Sequence, residues 1–345
     1  MASPALLAAQ AGSIGAGFSG GGFILPFLLG VIDMLYRDLG VMNADMPVAG
    51  ASAGSIAAAT AIGLVPLGDV RSEVDSLGAR CRAKGNCYGT LYDEVQRSAR
   101  RILVRDAGNK MAAHGRAYFA VVHPASVSGA SAPRQELVSS FKGRDDIANA
   151  IAASCYIPGY AGPSPTIKFR GQRVYDGGFG GPGAGFLPCP PDVRYCVRVS
   201  SMPGGITMPS ILLDVLLGGP YNQALAVGAA LSTLGGADVL GTLTKQVLGG
   251  GGGGGGGGET QQLADMASAM AAFMQFKTPG EGEADIFPGR RHALPVGEFE
   301  WVTRMAVPAS AADNQAMFDL GRAEALSWAQ EAGFPAALAK AGRSG

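Results

Sequence analysis

The sequence predicts an α/β protein in which strands and helices alternate along the chain. Residues 13–18 form an apolar run that ends at a glycine turn, and helical spacing follows over 25–39. Residues 47–52 repeat this order, with a second apolar run, a sharp turn and an Ala-rich helical run over 53–64. The chain has 345 residues, of which 47% are hydrophobic and 16% are charged. It is therefore long and apolar enough to bury a full core.

Hydrophobic periodicity and turn residues place the remaining elements in order. Further strands are predicted at 116–124, 136–141, 166–169, 173–176, 195–200 and 299–302. Further helices are predicted at 67–82, 145–154 and 314–331. Ten consecutive glycines at 249–258 cannot specify regular structure, so they predict a flexible loop or linker. We expect one domain over 10–335, with its motifs within 13–200.

Composition excludes several functional classes. The 27 basic and 27 acidic residues balance, so no global field attracts nucleic acid. Four arginines between 97 and 105 predict a solvated helix face, with a phospholipid-headgroup contact as the less favoured alternative. Five cysteines without a Cys-x-x-Cys pair, beside only three histidines, disfavour a metal site or a disulfide framework and favour a reducing compartment.

The chain shows no pattern typical of membrane insertion or export. No basic residue precedes Arg37, so the N-terminus lacks the charged start of a secretory signal. The longest apolar runs fall below the roughly 20 residues that a membrane span requires. We therefore expect no transmembrane span.

The first glycine turn admits two functions. Gly20, Gly21 and Gly22 lie between a strand and a helix, where free N–H groups and the helix dipole favour negative charge. They could form an oxyanion hole. Alternatively, Gly15, Gly17 and Gly20 spell Gly-x-Gly-x-x-Gly, a weak signal for a dinucleotide-binding oxidoreductase. A turn that serves packing alone is the third alternative.

The second turn has the Gly-x-Ser-x-Gly form of a nucleophile elbow. Gly50 and Gly54 flank Ser52 between a predicted strand and a predicted helix. In that context the serine hydroxyl is raised above the sheet, which makes Ser52 the candidate nucleophile. The chain contains 54 glycines, so the pentapeptide alone could arise by chance and its partners must decide.

The candidate partner is an acid at a strand end. Asp176 closes a predicted strand and is followed by Gly177 and Gly178, which place the carboxylate at the rim of the sheet. Taken alone, this would be an ordinary Asp-Gly turn. A Ser-His-Asp triad with His292 stays open, although His292 lies in a polar segment. A carboxylate of ordinary pKa is a poor base for serine, so a Ser-Asp pair requires a dry site.

Together, the Gly20–Gly22 turn, the Ser52 elbow and the Asp176-Gly-Gly sequence closely resemble the patatin-like phospholipase family. The segment 153–160, Ala-Ser-Cys-Tyr-Ile-Pro-Gly-Tyr, also resembles a block of that family. The resemblance implies a three-layer α/β/α sandwich with a central, mostly parallel sheet. It also implies a catalytic dyad of Ser52 and Asp176, an oxyanion hole at Gly20 to Gly22, and no cofactor or metal.

The resemblance further implies the substrate class and where the enzyme works. The chain departs from plant and bacterial members at Ile24 and Leu25, and this version looks more like the animal triglyceride-lipase branch. The implied activity is hydrolysis of glycerolipid esters, of triacylglycerol or phospholipid, through an acyl-serine, with transacylation as a variant. The implied location is the cytoplasm or the surface of a membrane or lipid droplet, with a plastid left open. The alternative is a lipid-binding protein of the same fold without turnover.

Overall fold

The central sheet of the computed structural model is built around four parallel strands. The structure describes residues 2–124, 133–179, 186–204 and 282–337. The strands are β1 (Ile14–Phe18), β2 (Val48–Ala51), β3 (Ala117–His123), β4 (Arg134–Val138), β5 (Ile167–Phe169), β6 (Gln172–Asp176) and β7 (Tyr195–Val199). Their order is β5-β6-β3-β2-β1-β7, with β4 also paired to β3. Strands β7, β1, β2 and β3 are parallel, whereas β4, β5 and β6 join by antiparallel pairing.

Helices surround this sheet and confirm the predicted α/β/α class. They are α1 (Pro4–Gln10), α2 (Leu25–Ile32), α3 (Ala53–Ala61), α4 (Leu67–Ala83), α5 (Leu91–Ile102), α6 (Ala107–His114), α7 (Arg144–Ser154), α8 (Glu298–Thr303) and α9 (Ala311–Glu331). A short 3₁₀ turn, Gly22–Ile24, precedes α2, and a π-helical turn, Asp33–Asp38, extends it. The core is one hydrophobic cluster that runs from Ala5 to Ala337.

Close backbone packing joins the first two strand–helix units. A Cβ on Gly50 would lie 2.0 Å from the carbonyl oxygen of Gly54, and one on Gly54 would lie 2.2 Å from that of Phe18. Only glycine fits where these backbones meet, because such separations are well inside contact distance. The Ala-rich helix α3 is thereby held against β1 and β2, which fixes the elbow between them.

One predicted element was wrong. The strand expected at 299–302 is helix α8, and helices α1 and α6 were not predicted. Phe299, Trp301 and Val302 have strand-like composition, but Trp301 is fully buried and packs edge-on against Phe27 of α2. Tertiary packing therefore overrides local preference.

The prediction against disulfides was also wrong. Cys81 pairs with Cys87 at the turn after α4, and Cys189 pairs with Cys196 of β7. Separations of six and seven residues are closed here by a turn and by an extended segment beside a strand. Such contacts depend on the fold, so sequence spacing did not indicate them. Cys155 is the free, buried thiol among the described cysteines.

The glycine run at 249–258 lies outside the described residues, so its role and the domain limits of 10–335 stay predictions. Within the described ranges, no helix is both long and apolar enough to cross a membrane.

Candidate active site

Ser52 lies at a strained turn between β2 and α3. Its backbone has φ 53° and ψ −126°, a conformation that non-glycine residues adopt only under constraint. The side chain of Ser154 at the end of α7 supplies part of that constraint, since its Oγ accepts a hydrogen bond from the Ser52 N–H at 2.8 Å. Ser52 is 5% exposed, so its hydroxyl faces an enclosed space.

The sheet register brings Asp176 to the same level as Ser52. Ala51 of β2 pairs with Ala120 of β3, and Asp176 at the end of β6 pairs with the next residue, Val121. Ser52 and Asp176 therefore flank β3, about two strand spacings, or roughly 9.5 Å, apart at Cα. Both side chains border the same small crevice.

Asp176 occupies a dry position. It is 2% exposed, and burial raises its pKa to about 7, although hydrogen bonding from Ser52 and from the Gly178 N–H acts in the opposite direction. Oδ1 accepts the Gly178 N–H at 2.8 Å. Oδ2 has no hydrogen-bond partner among the described residues. The Ser52 hydroxyl thus affects the pKa of the carboxyl group without completing a well-formed hydrogen bond to Oδ2.

The glycine turn, Gly20 to Gly22, also lines the crevice. The Gly20 N–H donates to the Phe186 carbonyl at 3.4 Å, and the Phe23 N–H donates to the Met305 carbonyl at 3.1 Å. Within the described part of the chain, the N–H groups of Gly21 and Gly22 form no such backbone bond. The N–H groups of Gly21 and Gly22 are therefore better placed to donate to a negative oxygen in the crevice, whereas the Gly20 N–H already donates to Phe186.

The glycine turn is fixed by its surroundings. Ser201 Oγ donates to the Gly20 carbonyl at 2.5 Å, and the Ser201 N–H donates to Ser19 Oγ at 2.8 Å. Gly22 has φ +52°, and a Cβ there would meet the Met305 carbonyl oxygen at 2.1 Å. Leu25, one of the two positions at which the chain departs from plant and bacterial members of the family it resembles, has φ −43° and begins α2. The positive φ falls on Gly22, so Leu25 causes no backbone strain.

Ser52 lies between this crevice and an apolar cavity. The cavity has a volume of about 90 Å³ and lies between α3, α7 and the pair α4 and α5. Ser52, Gly22 and Ile157 border both spaces. One side of the serine therefore faces Asp176 and the glycine turn, and the other side faces an apolar cavity.

The residues around Ser52 and Asp176 match a known protein family. The model of the family described as patatin-like phospholipase matches residues 18–182, which include every expected site residue. The match covers just under half of the chain. For the matched residues it confirms the family expected from the sequence, a family associated with lipid acyl transfer or hydrolysis.

Two curated relatives are animal proteins. Mouse 1-acylglycerol-3-phosphate O-acyltransferase Pnpla3 is 30% identical over 131 residues, which are 37% of this chain and 30% of the mouse protein. Human omega-hydroxyceramide transacylase is 28% identical over 180 residues, which are 50% of this chain and 31% of the human protein. The matched segments thus span about a third of each relative, and both lie in the animal branch that the sequence indicated.

The structure does not support the two alternatives, which are a triad with His292 and a dinucleotide site at Gly15 and Gly17. His292 lies beside α9, where its Nε2 is 2.9 Å from Ser327 Oγ, and it does not line the crevice. A triad with His292 is therefore not formed. Gly15 and Gly17 are inside β1, paired on both sides, so they cannot form the loop of a dinucleotide site.

The structure also shows site residues that the sequence did not single out. Ser154 accepts a hydrogen bond from the Ser52 N–H, Phe186 and Met305 line the crevice, and Cys155 lines the apolar cavity. Burial is the main cause of the raised pKa of the Cys155 thiol, and the charge of Asp176 adds to it. Ser154 and Cys155 lie in the family-like block at 153–160, which was the available signal. Among the described residues, no group of three His, Cys, Asp or Glu side chains is arranged to hold a metal ion.

Proposed function

We propose that this chain is a serine acyl hydrolase that cleaves ester bonds of glycerolipids through an acyl-serine on Ser52, with Asp176 as the base. The observation that carries the proposal is the position of Ser52. Its hydroxyl lies at a strained elbow between a crevice with a buried carboxyl group and a cavity suited to an acyl chain. Gly21 and Gly22 would supply the oxyanion donors.

The chemistry follows from these groups. The Ser52 hydroxyl attacks the ester carbonyl carbon while its proton passes to Asp176, and the negative oxygen of the tetrahedral intermediate accepts hydrogen bonds from the glycine turn. Collapse breaks the ester bond, and the leaving alcohol takes the proton from Asp176. Water then transfers a proton to Asp176, attacks the acyl-serine and releases the fatty acid, and Ser52 recovers its proton.

The raised pKa of Asp176 supports its role as base. A carboxyl group with a pKa of about 7 is far better matched to proton transfer near neutral pH than one at 3.8. The incomplete contact between Ser52 and Oδ2 is compatible with this role, because catalytic hydrogen bonds often tighten only when substrate binds.

A fluorophosphonate probe tests the assignment of Ser52. We expect the wild-type protein to be labelled, Ser52→Ala to lose labelling, and Asp176→Asn to be labelled slowly. His292→Ala is the control and is expected to keep wild-type labelling and esterase activity. Unchanged labelling of Ser52→Ala would reject the assignment, and loss of activity in a folded His292→Ala would require a triad. Lipid binding without labelling or turnover would favour the non-catalytic alternative.

Acyl transfer to a lipid alcohol is the second candidate. It is favoured by the two animal relatives, which are named an acyltransferase and a transacylase. An alcohol would replace water in the second half of the reaction and take the acyl group from Ser52. The two outcomes separate when a radiolabelled acyl donor is supplied with and without a monoacylglycerol acceptor. Transfer predicts labelled diacylglycerol in place of labelled fatty acid.

A further inference from the structure

The apolar cavity extends away from Ser52 along helix α3. Ser52 and Ala53 border it at the start of α3, and Val65 borders it beyond the end of that helix. The nine residues of α3 span roughly 13 Å at 1.5 Å per residue. This length suits a medium-chain acyl group. The end of the cavity away from Ser52 lies at Ile102, the last residue of α5. There the chain after α5 meets the chain after α3, because the Val104 N–H donates to the Leu64 carbonyl.

Helices α4 and α5 form the outer wall of the cavity. Their apolar side chains border the cavity, and they are Val70, Val74, Leu77, Leu91, Val95, Ala99 and Ile102. Polar contacts join the two helices across their seam. Glu73 of α4 accepts a hydrogen bond from Ser98 Oγ of α5 at 2.6 Å, and it forms ion pairs with Arg80 at 3.0 Å and with Arg101.

Glu73 and Ser98 lie in the wall itself. Both residues border the cavity, and they are 8% and 7% exposed. Ser98 is one turn before Ile102, so this contact belongs to the far half of the cavity. The Arg101 side chain is 60% exposed and covers the contact from the solvent side. A chain that grew past this point would have to part Glu73 from its partners.

We propose that the Glu73, Ser98 and Arg101 contact closes the α4–α5 seam and thereby limits the length of the acyl chain that the cavity accepts. This inference rests on the proposed function, since it assigns the cavity to the acyl group of the substrate. Glu73 is a specificity-determining residue that acts through the closure of the wall. Parting it from Arg101 and Ser98 opens the seam and lets a longer chain pass between the helices.

A second buried carboxylate in the same seam provides a matched control. Glu94 of α5 is 4% exposed and pairs with Arg80 at 3.3 Å and with Arg97 at 2.9 Å. Glu94 does not border the cavity. Replacing it therefore removes a similar ion pair from the same helix pair without opening the cavity wall.

The test compares hydrolysis of p-nitrophenyl butyrate, octanoate and palmitate. We expect Glu73→Gln to raise the palmitate-to-octanoate ratio of kcat/KM about tenfold, the scale of pocket-based discrimination between chain lengths, with butyrate unchanged. Glu94→Gln is expected to leave the ratio at the wild-type value. An unchanged ratio in a folded Glu73→Gln variant, or an equal change in Glu94→Gln, overturns the proposal.

A second pair of variants keeps the test valid if Glu73→Gln does not fold. Arg101→Gln and Arg97→Gln remove guanidinium groups of side chains that are 60% and 67% exposed, and of these two arginines only Arg101 pairs with Glu73. Arg101→Gln is expected to shift the ratio in the same direction as Glu73→Gln, and Arg97→Gln is not. If neither variant shifts the ratio, the seam does not set chain length.

A binding measurement separates this inference from the proposed function. Calorimetry with octanoic acid and palmitic acid needs no turnover. We expect wild-type protein to favour octanoic acid and Glu73→Gln to gain about tenfold in relative affinity for palmitic acid. Such a gain in a protein that hydrolyses no ester would reject the hydrolase and keep the chain-length limit. Equal relative affinities in wild type and variant would reject the limit and leave the hydrolase standing.

Discussion

The buried carboxyl group of Asp176 makes a prediction about stability that is independent of substrate. Its pKa rises from 3.8 in the unfolded chain to about 7 in the folded protein, chiefly because it is buried. Between these values the unfolded chain has lost the proton and the folded protein has kept it. Folding stability therefore falls as pH rises through this window, by about 1.4 kcal/mol per unit.

Asp176→Asn removes this dependence, because an amide does not titrate. Relative to wild type, the variant is expected to gain about 2 kcal/mol at pH 5 and about 4 kcal/mol at pH 8, with little further change above that. The gain accompanies loss of activity, as expected where a functional group is held at a cost in stability. Urea unfolding of both proteins at pH 5, 6, 7 and 8, followed by fluorescence and circular dichroism, measures the difference.

Asp146 provides a control with the opposite sign. Burial acts to raise its pKa, but hydrogen bonds from Arg170 and the Lys142 N–H outweigh burial and hold the pKa below its usual value. Its charge therefore stabilises the fold above the unfolded pKa, and that contribution is lost as pH falls through the folded pKa. Asp146→Asn should be less stable than wild type at pH 7, with a smaller deficit in acid.

The difference in free energy of unfolding between Asp176→Asn and wild type decides the prediction for Asp176. If this difference stayed constant from pH 5 to 8, the raised pKa of Asp176 would be refuted.

Three further predictions concern activity and packing. The wild-type kcat/KM is expected to rise tenfold per pH unit below about pH 7 and to level off above it, because Asp176 ionises over this range. A stopped-time ester assay measures this profile, and a flat profile from pH 5 to 7 would contradict the prediction. Ser154→Ala removes the acceptor of the Ser52 N–H. It should lower kcat about tenfold or more with little change in KM, since an unpaired buried N–H costs about 1–3 kcal/mol. An unchanged kcat would contradict this prediction. Gly54→Ala should destabilise the fold by more than about 3 kcal/mol in urea unfolding. Gly68→Ala, in open space on α4, should instead stabilise it by about 0.5–1 kcal/mol.

The sequence predicted the elements around the site well because glycine and proline mark their ends. The strand before the elbow, predicted at 47–52, is Val48–Ala51, and the strand expected at 195–200 is Tyr195–Val199. The helix predicted at 314–331 begins earlier, at Ala311, because Ser310 and Asp313 form a capping box. The helix at 298–303 was missed because its conformation depends on packing between distant parts of the chain.

The candidate site could be predicted only in part, for a related reason. Ser52 and Asp176 stand in local patterns whose geometry follows from their neighbours. The groups that hold these two residues in place do not stand in local patterns, since the Ser52–Ser154 hydrogen bond joins residues 102 apart in sequence. Phe186 and Met305 reach the crevice from still more distant segments, and no periodicity marks them. The assignment of catalytic roles remains a prediction that the labelling and kinetic tests decide.

The segment after α7 explains how these distant contacts can act together. Ser154 accepts from the Ser52 N–H, and the Tyr156 carbonyl accepts from the Asp176 N–H at 2.8 Å. Between and beside them, Cys155 borders the apolar cavity and Ile157 borders both the cavity and the crevice. Four consecutive residues thus position the candidate nucleophile and base and shape the space for the acyl chain. A backbone shift in this segment would therefore move the candidate nucleophile, the candidate base and the cavity wall together.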